Sequence, residues 1–193
     1  MGKSSLVRIR EGVALGDLHL EGQVESVATY LIETRDGVAV VDPGPTSCAD
    51  AFHEALRLFG AGVGDVRHVL LTHIHLDHAG YTGSLVRRAP RATVHVHEVG
   101  APHLVDPTRL LASARRIYGS DMDRLWGDFL AVPADRLHVL SGGERLDLGD
   151  RRWRVAATPG HAIHHVAFLD EREGLAWTGD VAGEATQHGT PAL

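Results

Sequence analysis

Residues 72 to 80 read T-H-I-H-L-D-H-A-G and place His73, His75, Asp77 and His78 within six positions. Three imidazoles and a carboxylate packed that closely make poor core material, because each buried polar group left unpaired costs a few kcal/mol. A divalent cation answers all of them at once, since neutral imidazole nitrogen and carboxylate oxygen are ligands of zinc and its neighbours. The competing reading is a histidine-rich surface loop. Two later segments weigh against it. T-P-G-H-A-I-H-H carries His161 just after the strand-like W-R-V-A-A, and L-A-W-T-G-D carries Asp180 at the end of another apolar run. Each sets one ligand-type residue behind a strand at a glycine-containing turn, and strand ends meeting at one face are how α/β folds commonly assemble a site.

The spacing also constrains the backbone. Residues two apart share one side of an extended chain and lie on nearly opposite sides of a helix. His73 and His75 can therefore converge on one ion only from a strand end or loop. The preceding V-R-H-V-L-L-T is a short apolar run with β-branched members and predicts a buried strand. Asp77 then falls where a helix can begin, with A-G-Y-T-G-S-L-V-R-R-A as its body.

Strand-like runs lie near 24–33, 38–42, 66–72, 93–97, 137–140, 144–148, 152–157, 165–170 and 174–179. Helices are interposed, A-D-A-F-H-E-A-L-R-L-F among them, as a sandwich flanked by helices requires. From 106 to 130, Asp106-Pro107 is a helix start. Leu110, Leu111, Ala114, Ile117 and Tyr118 then form one apolar stripe, and Met122, Leu125, Trp126 and Phe129 a second. Both stripes read first as core packing. The functional alternative is a helical cap over the metal pocket, with Tyr118 and Trp126 reaching substrate.

These motifs resemble the metallo-β-lactamase superfamily. The resemblance runs from V-A-T-Y-L-I-E and V-V-D-P-G-P through T-H-I-H-L-D-H-A-G and T-P-G-H to the G-D at 179 and 180, nearly the whole chain. It implies an α/β fold, the four-layer αβ/βα sandwich, over residues 1–193, with a two-metal site along one edge. His73, His75 and His161 would hold the first ion. Asp77, His78 and a bridging Asp180 would hold the second. His165, four places after His161, would support the ligands by hydrogen bonding. The ions implied are two zinc, with iron or manganese as alternatives.

The chain departs from the family in two places. Members complete the second site with one more histidine well beyond the G-D, whereas here Leu193 follows Asp180 by thirteen residues. The expectation is a carboxy-terminal half that is incomplete, from a truncated or partly represented protein. His188 is a substitute ligand or, on the blander reading, a solvated residue of a polar tail. The family also often has a glycine pair after D-H-x, where Tyr81 here follows Gly80. Tyr81 lines the pocket mouth or packs beside the first helix.

The resemblance implies hydrolysis. A divalent ion lowers the pKa of water it binds to ~7 in the zinc case, giving a hydroxide that attacks a carbonyl carbon, with Asp77 orienting it. The expected substrate is a small molecule: a carboxyl ester, thioester or lactone. A mononuclear iron enzyme that oxidises persulfides is the alternative from another class. A non-catalytic metal-binding domain, stable only in an assembly, is the third.

Composition narrows the field. A net charge of −6 offers no electrostatic footprint for nucleic acid. No run approaches the ~20 apolar residues of a membrane span. The amino terminus lacks the apolar core of a signal peptide, and the single Cys48 excludes an internal disulfide. Both point to a cytoplasmic protein, with homo-oligomers left open. Of the fourteen histidines, His95 and His97 share one face of a predicted strand; they could bind a metal, but isolated two-histidine sites are weak, and they read as a half-exposed strand face. His164 reads as surface, and His19, His53, His68, His103 and His138 give no signal.

Overall fold

The structure is a computed structural model and describes residues 5–182 together with 184–185 and 191–192. Seven strands form the larger sheet in the order β1 (Ser5–Arg10), β2 (Val13–Asp17), β3 (Ala28–Thr34), β4 (Gly37–Val41), β5 (Val66–Leu70), β6 (Thr93–His97) and β7 (Leu137–Leu140). The first four are antiparallel neighbours, and β4 through β7 run parallel. Parallel strands are covered on both faces and read as continuous apolar runs. G-V-A-V-V of β4 is buried along almost its whole length.

The smaller sheet is antiparallel, in the order β11 (Leu175–Trp177), β10 (Val166–Asp170), β9 (Arg151–Ala157) and β8 (Arg145–Leu148). It alternates instead. Leu146, Leu148, Trp153 and Val155 point inward, while Asp147, Arg152 and Arg154 point out and pair with one another or with Glu171. That pattern belongs to a sheet with one wet face. A two-stranded pair, β12 (Glu184–Ala185) with β13 (Pro191–Ala192), completes the strands.

Two cores follow from this layering. Between the sheets, Ile32, Val41, Leu70, Trp153, Phe168 and Trp177 pack together, with the two indoles stacked 4.0 Å apart. On the other face of the larger sheet, Val40, Val69 and Val94 meet helices α1 (Ala49–Phe59) and α3 (Thr82–Arg88). Helix α1 supplies Phe52, Ala55 and Leu56 from a single stripe. Between these helices lies the short α2 (Leu76–Ala79); α4 (Ala101–Val105) follows β6. Gly83 lets α3 press against the chain beyond, since a Cβ there would stand 1.9 Å from the Leu130 carbonyl oxygen. Among the described residues no helix covers the outer face of the smaller sheet.

The 106–130 segment folds into α5 (Thr108–Tyr118) and α6 (Met122–Trp126). Ala114, Met122 and Trp126 bury themselves against Leu76 as a satellite core. Sequence patterning misses β1 and β2 altogether. S-L-V-R-I-R alternates apolar and polar residues, but its exposed edge position leaves it without a buried face to announce it. The strand expected from residue 24 begins instead at Ala28. Before it, the Glu25 N–H donates to Asp17 Oδ2 and the Leu20 N–H to Ser26 Oγ, which hold the chain in a turn.

Candidate metal centre

Strand ends of both sheets deliver the chemistry. Strand β4 runs into Asp42, β5 into Thr72 and His73, the β9–β10 connection carries His161, and β11 leads to Asp180. His75 immediately precedes α2, which opens with Leu76, Asp77 and His78.

His73, His75 and His161 bring three ring nitrogens together. His75 Nδ1 lies 3.0 Å from His73 Nε2 and 2.9 Å from His161 Nε2. A second group shares His73 and adds His78 and Asp180. His78 Nε2 stands 3.2 Å from Asp180 Oδ1, and His161 Nε2 is 3.4 Å from Asp180 Oδ2. Asp180 thus faces both groups, and Asp77 joins the second through His78, 3.4 Å away.

Asp42 organises the interior side. Its carboxylate accepts the Thr72 N–H at 2.8 Å, the Thr72 hydroxyl at 2.6 Å and the His78 Nδ1–H at 3.0 Å. With its proton given to Asp42, the Thr72 oxygen accepts from His73 Nδ1 at 3.1 Å. His73 therefore turns a bare Nε2 lone pair toward the centre, and His78, held by Nδ1, presents its Nε2 there. His165 braces the other side. The Asp180 N–H donates to its Nε2 at 3.2 Å, so Nδ1 carries the proton and donates to Thr158 Oγ1 at 2.8 Å. Gly179 makes that approach possible: at φ +50° it bears no Cβ, which would stand 2.5 Å from His165 Nε2.

This donor set calls for positive charge. Asp180 and Asp77 crowd around His78 Nε2, and His73 and His161 both press on His75 Nδ1, which carries at most one proton. Burial lowers the pKa of His73, and neighbouring imidazoles lower it further. Burial also lowers His75, with His161 adding to it. Both are held as neutral ligands. Burial would do the same at His78, but Asp42, Asp180 and Asp77 outweigh it and push its pKa up to about 12. The carboxylates call for positive charge there, which a proton or a metal ion supplies. The Asp180 carboxyl is held low by its bond to His78. The residues fit a divalent metal centre: His73 Nε2 lies within reach of both donor groups, though its one lone pair serves a single ion, and Asp180 faces both.

A cavity of about 660 Å³ opens beside His78, His161 and Asp180. Leu15, Tyr30, Val41 and Trp177 form its apolar wall, and Asp17 and Glu25 lie on its acidic side. The aromatic residues considered for the substrate pocket do not line this cavity. Tyr81 packs beside α1, buried against Phe52 with its hydroxyl 2.7 Å from His53 Nε2. Tyr118 and Trp126 stack edge to face, 5.0 Å apart, in the satellite core. Their stripes serve packing, the simpler reading of that periodicity. Leu15 carries no signal of its own in the sequence because β2, which holds it, carries none. Asp42 had a signal, the D-P-G-P turn at a strand end, but nothing in the pattern gave its carboxylate a partner. His164 is not a surface residue either: it lies half-buried, stacked 6.3 Å from His73. His95 and His97, expected half-exposed, are both buried. His188 lies outside the described residues.

Comparisons with known proteins bear on this geometry. The profile of the metallo-β-lactamase superfamily matches residues 22–192. A metallo-β-lactamase fold-containing protein of Sulfurisphaera tokodaii is 32% identical over 120 residues, 60% of this chain and 44% of its own length. A hydroxyacylglutathione hydrolase of Vibrio cholerae is 28% identical over 153 residues, 79% of this chain and 45% of its own. The chain spans about half the length of the curated relatives it matches. Among solved structures, a metallo-β-lactamase family protein of Thermus thermophilus superposes with a TM-score of 0.70 at 27% identity, covering 95% of this chain and 63% of that one. With the sandwich, the strand-end histidines and the profile in agreement, the chain belongs to the metallo-β-lactamase superfamily.

Proposed function

We propose that the protein is a metal-dependent hydrolase of a carboxyl ester, thioester or lactone. The observation that carries this reading is the pair of donor groups sharing His73, set at the edge of a cavity large enough for a small-molecule substrate. Bound divalent ions supply an acidified water and a Lewis acid for a carbonyl oxygen. His73, His75 and His161 would hold one ion, and His78, Asp77 and Asp180 the other.

The chain's own groups do the rest. Asp42 fixes the direction of His78 and, through Thr72, of His73. His165 holds the Asp180 backbone so that its carboxylate faces both donor groups. Asp77, which lines the cavity, would orient the attacking water. The apolar wall of Leu15, Tyr30 and Trp177 suits an acyl chain or ring. Asp17 and Glu25 disfavour multiply charged anions, which counts against phosphodiesters. The Vibrio cholerae relative, a hydroxyacylglutathione hydrolase, supports the thioester branch. The second donor group favours two ions over the single iron of a sulfur oxygenase.

The test is hydrolysis by metal-replete protein of an S-acylglutathione, an aryl ester and an acyl lactone, with metal content measured alongside. About two metal equivalents per chain and turnover of at least one substrate are expected. His73→Ala should lose metal and turnover together, by at least about 10²-fold in rate. Turnover that survives both His73→Ala and chelation would sink the reading.

A further inference from the structure

The cavity wall carries a side chain whose polar group the proposed reaction leaves unused. The antiparallel ladders set Leu15 of β2 opposite Tyr30 of β3, and Tyr30 opposite Val41 of β4. Cross-strand partners share a face of the sheet. Val41 belongs to the core between the two sheets, so Leu15 and Tyr30 turn the same way. All three border the cavity, and Trp177 faces them from the smaller sheet. Val41 is followed directly by Asp42, and neighbouring strands lie ~4.8 Å apart. Tyr30 therefore stands one strand over from the strand end that leads into the candidate metal centre.

Phenylalanine would fill this place equally well. Tyr30 is half-buried and packs its ring on the core between the sheets. A tyrosine in such a setting usually finds a partner for its hydroxyl, but this one has none among the described residues. Two other hydroxyls on the cavity are spent within the protein. Ser26 Oγ accepts the Leu20 N–H and donates to the Gln23 carbonyl, each at 2.8 Å, and the Thr72 hydroxyl donates to Asp42. The Tyr30 hydroxyl keeps its donor uncommitted. Burial raises its pKa above the ordinary 10.0, and the charge of Asp42 adds to this, so the group holds its proton at neutral pH. A neutral donor set among Leu15, Val41 and Trp177 suits an oxygen carried on an otherwise apolar group.

We propose that Tyr30 is a specificity-determining residue whose hydroxyl donates a hydrogen bond to an oxygen on the substrate's acyl chain, so that acyl groups bearing a hydroxyl, ether or ketone oxygen are preferred over plain hydrocarbon ones. This rests on the reading of the cavity as the substrate site of a hydrolase. The oxygen meant is not the scissile carbonyl, whose place is at the donor groups, but one further along the chain, where it lies on the wall. A hydrocarbon chain in the same place strips water from the Tyr30 hydroxyl and returns no acceptor, and a site with an unpaired polar group discriminates against the ligand that leaves it so.

The experiment compares metal-replete wild type with Tyr30→Phe, a change that keeps the ring and removes only the hydroxyl. The substrates are the phenyl esters of pentanoic and β-methoxypropanoic acid, equal in length and differing by one CH₂ replaced by oxygen. The preference for the oxygen-bearing ester, as a ratio of kcat/KM values, is expected to be about fivefold or more larger in wild type than in Tyr30→Phe, with the difference in KM and the metal content alike. The intrinsic reactivities of the two esters are common to both proteins and cancel. Binding of the two corresponding amides, which are not turned over, is read by tryptophan fluorescence, since Trp177 borders the cavity. The oxygen-bearing amide should bind wild type more tightly than Tyr30→Phe by a similar factor, and pentanamide should bind both alike. Equal ester preferences in the two proteins would overturn the assignment, as would an oxygen-bearing amide that binds both equally or neither. Hydrolysis of no ester by either protein counts against the hydrolase reading, while the amides still decide the role of Tyr30.

Discussion

Asp42 carries three bonds at once, to the Thr72 N–H, the Thr72 hydroxyl and His78 Nδ1, and does so from a backbone φ of 51°, where few residues other than glycine settle. Asparagine tolerates that conformation, so Asp42→Asn should keep the fold. It loses a charge and one acceptor, and metal affinity should fall about 10–100-fold, as for other supporting partners; chelator competition measures it. Glu144 offers a smaller test. Its carboxylate accepts the N–H groups of Ser141 and Gly142 at 2.5 and 2.9 Å. Partial burial raises its pKa, but these bonds outweigh that and hold it below the ordinary value of 4.5. A folded pKa below the unfolded one means stabilisation that is complete above pH 4.5 and lost as pH falls through the folded value. Glu144→Gln should therefore cost roughly 0.5–1 kcal/mol at neutral pH, and urea melts of the two proteins should converge in acid.

At the scale of elements, α5 and α6 pack on a small satellite core of their own. Ala114, Met122 and Trp126 rest on Leu76, the residue before Asp77. The docking of this helical pair therefore bears on the position of one proposed ligand without either helix lining the cavity. Trp126→Ala should cost about 2–4 kcal/mol locally. Amides of Thr108–Trp126 should exchange faster in hydrogen exchange, while those of β4 and β5 keep their protection. Uniform loss of protection across the chain would show that the pair is not a separate cooperative unit. The parallel strands β4 and β5 behave oppositely. They are buried on both faces, so the strand ends that carry Asp42, Thr72 and His73 are among the least movable backbone in the molecule.

For the molecule as a whole, the candidate centre gathers charges that repel or go unpaired until a cation arrives. Metal binding is then folding free energy. At free metal a hundredfold above Kd, mass action contributes about 2.7 kcal/mol, so chelation should lower Tm by roughly 5–10 °C for a chain of this size. Differential scanning with and without chelator checks this; an unchanged Tm would mean that the donor groups hold no ion under those conditions.

The local order of residues was enough to place most of the scaffold and the donors. H-x-H-x-D-H fixes a strand-end geometry by its own spacing, and the apolar runs at 38–42 and 66–72 announce strands. T-V-H-V-H at 93–97, by contrast, carries histidines on one face and L-H-V-L at 137–140 is largely exposed, so neither announces its burial. An exposed edge strand gives no such contrast, which is why β1 was invisible, and with it β2 and the Leu15 wall of the cavity. Periodicity likewise shows that Tyr118 and Trp126 lie on apolar stripes but not what those stripes meet. Contacts between distant segments belong to the folded chain alone. The carboxylate that Asp42 lends to Thr72 and His78 spans 30 and 36 residues, and the meeting of His68 with His95 spans 27. Spacing along a chain encodes direction within one element; strand order, register and layer packing decide which elements meet.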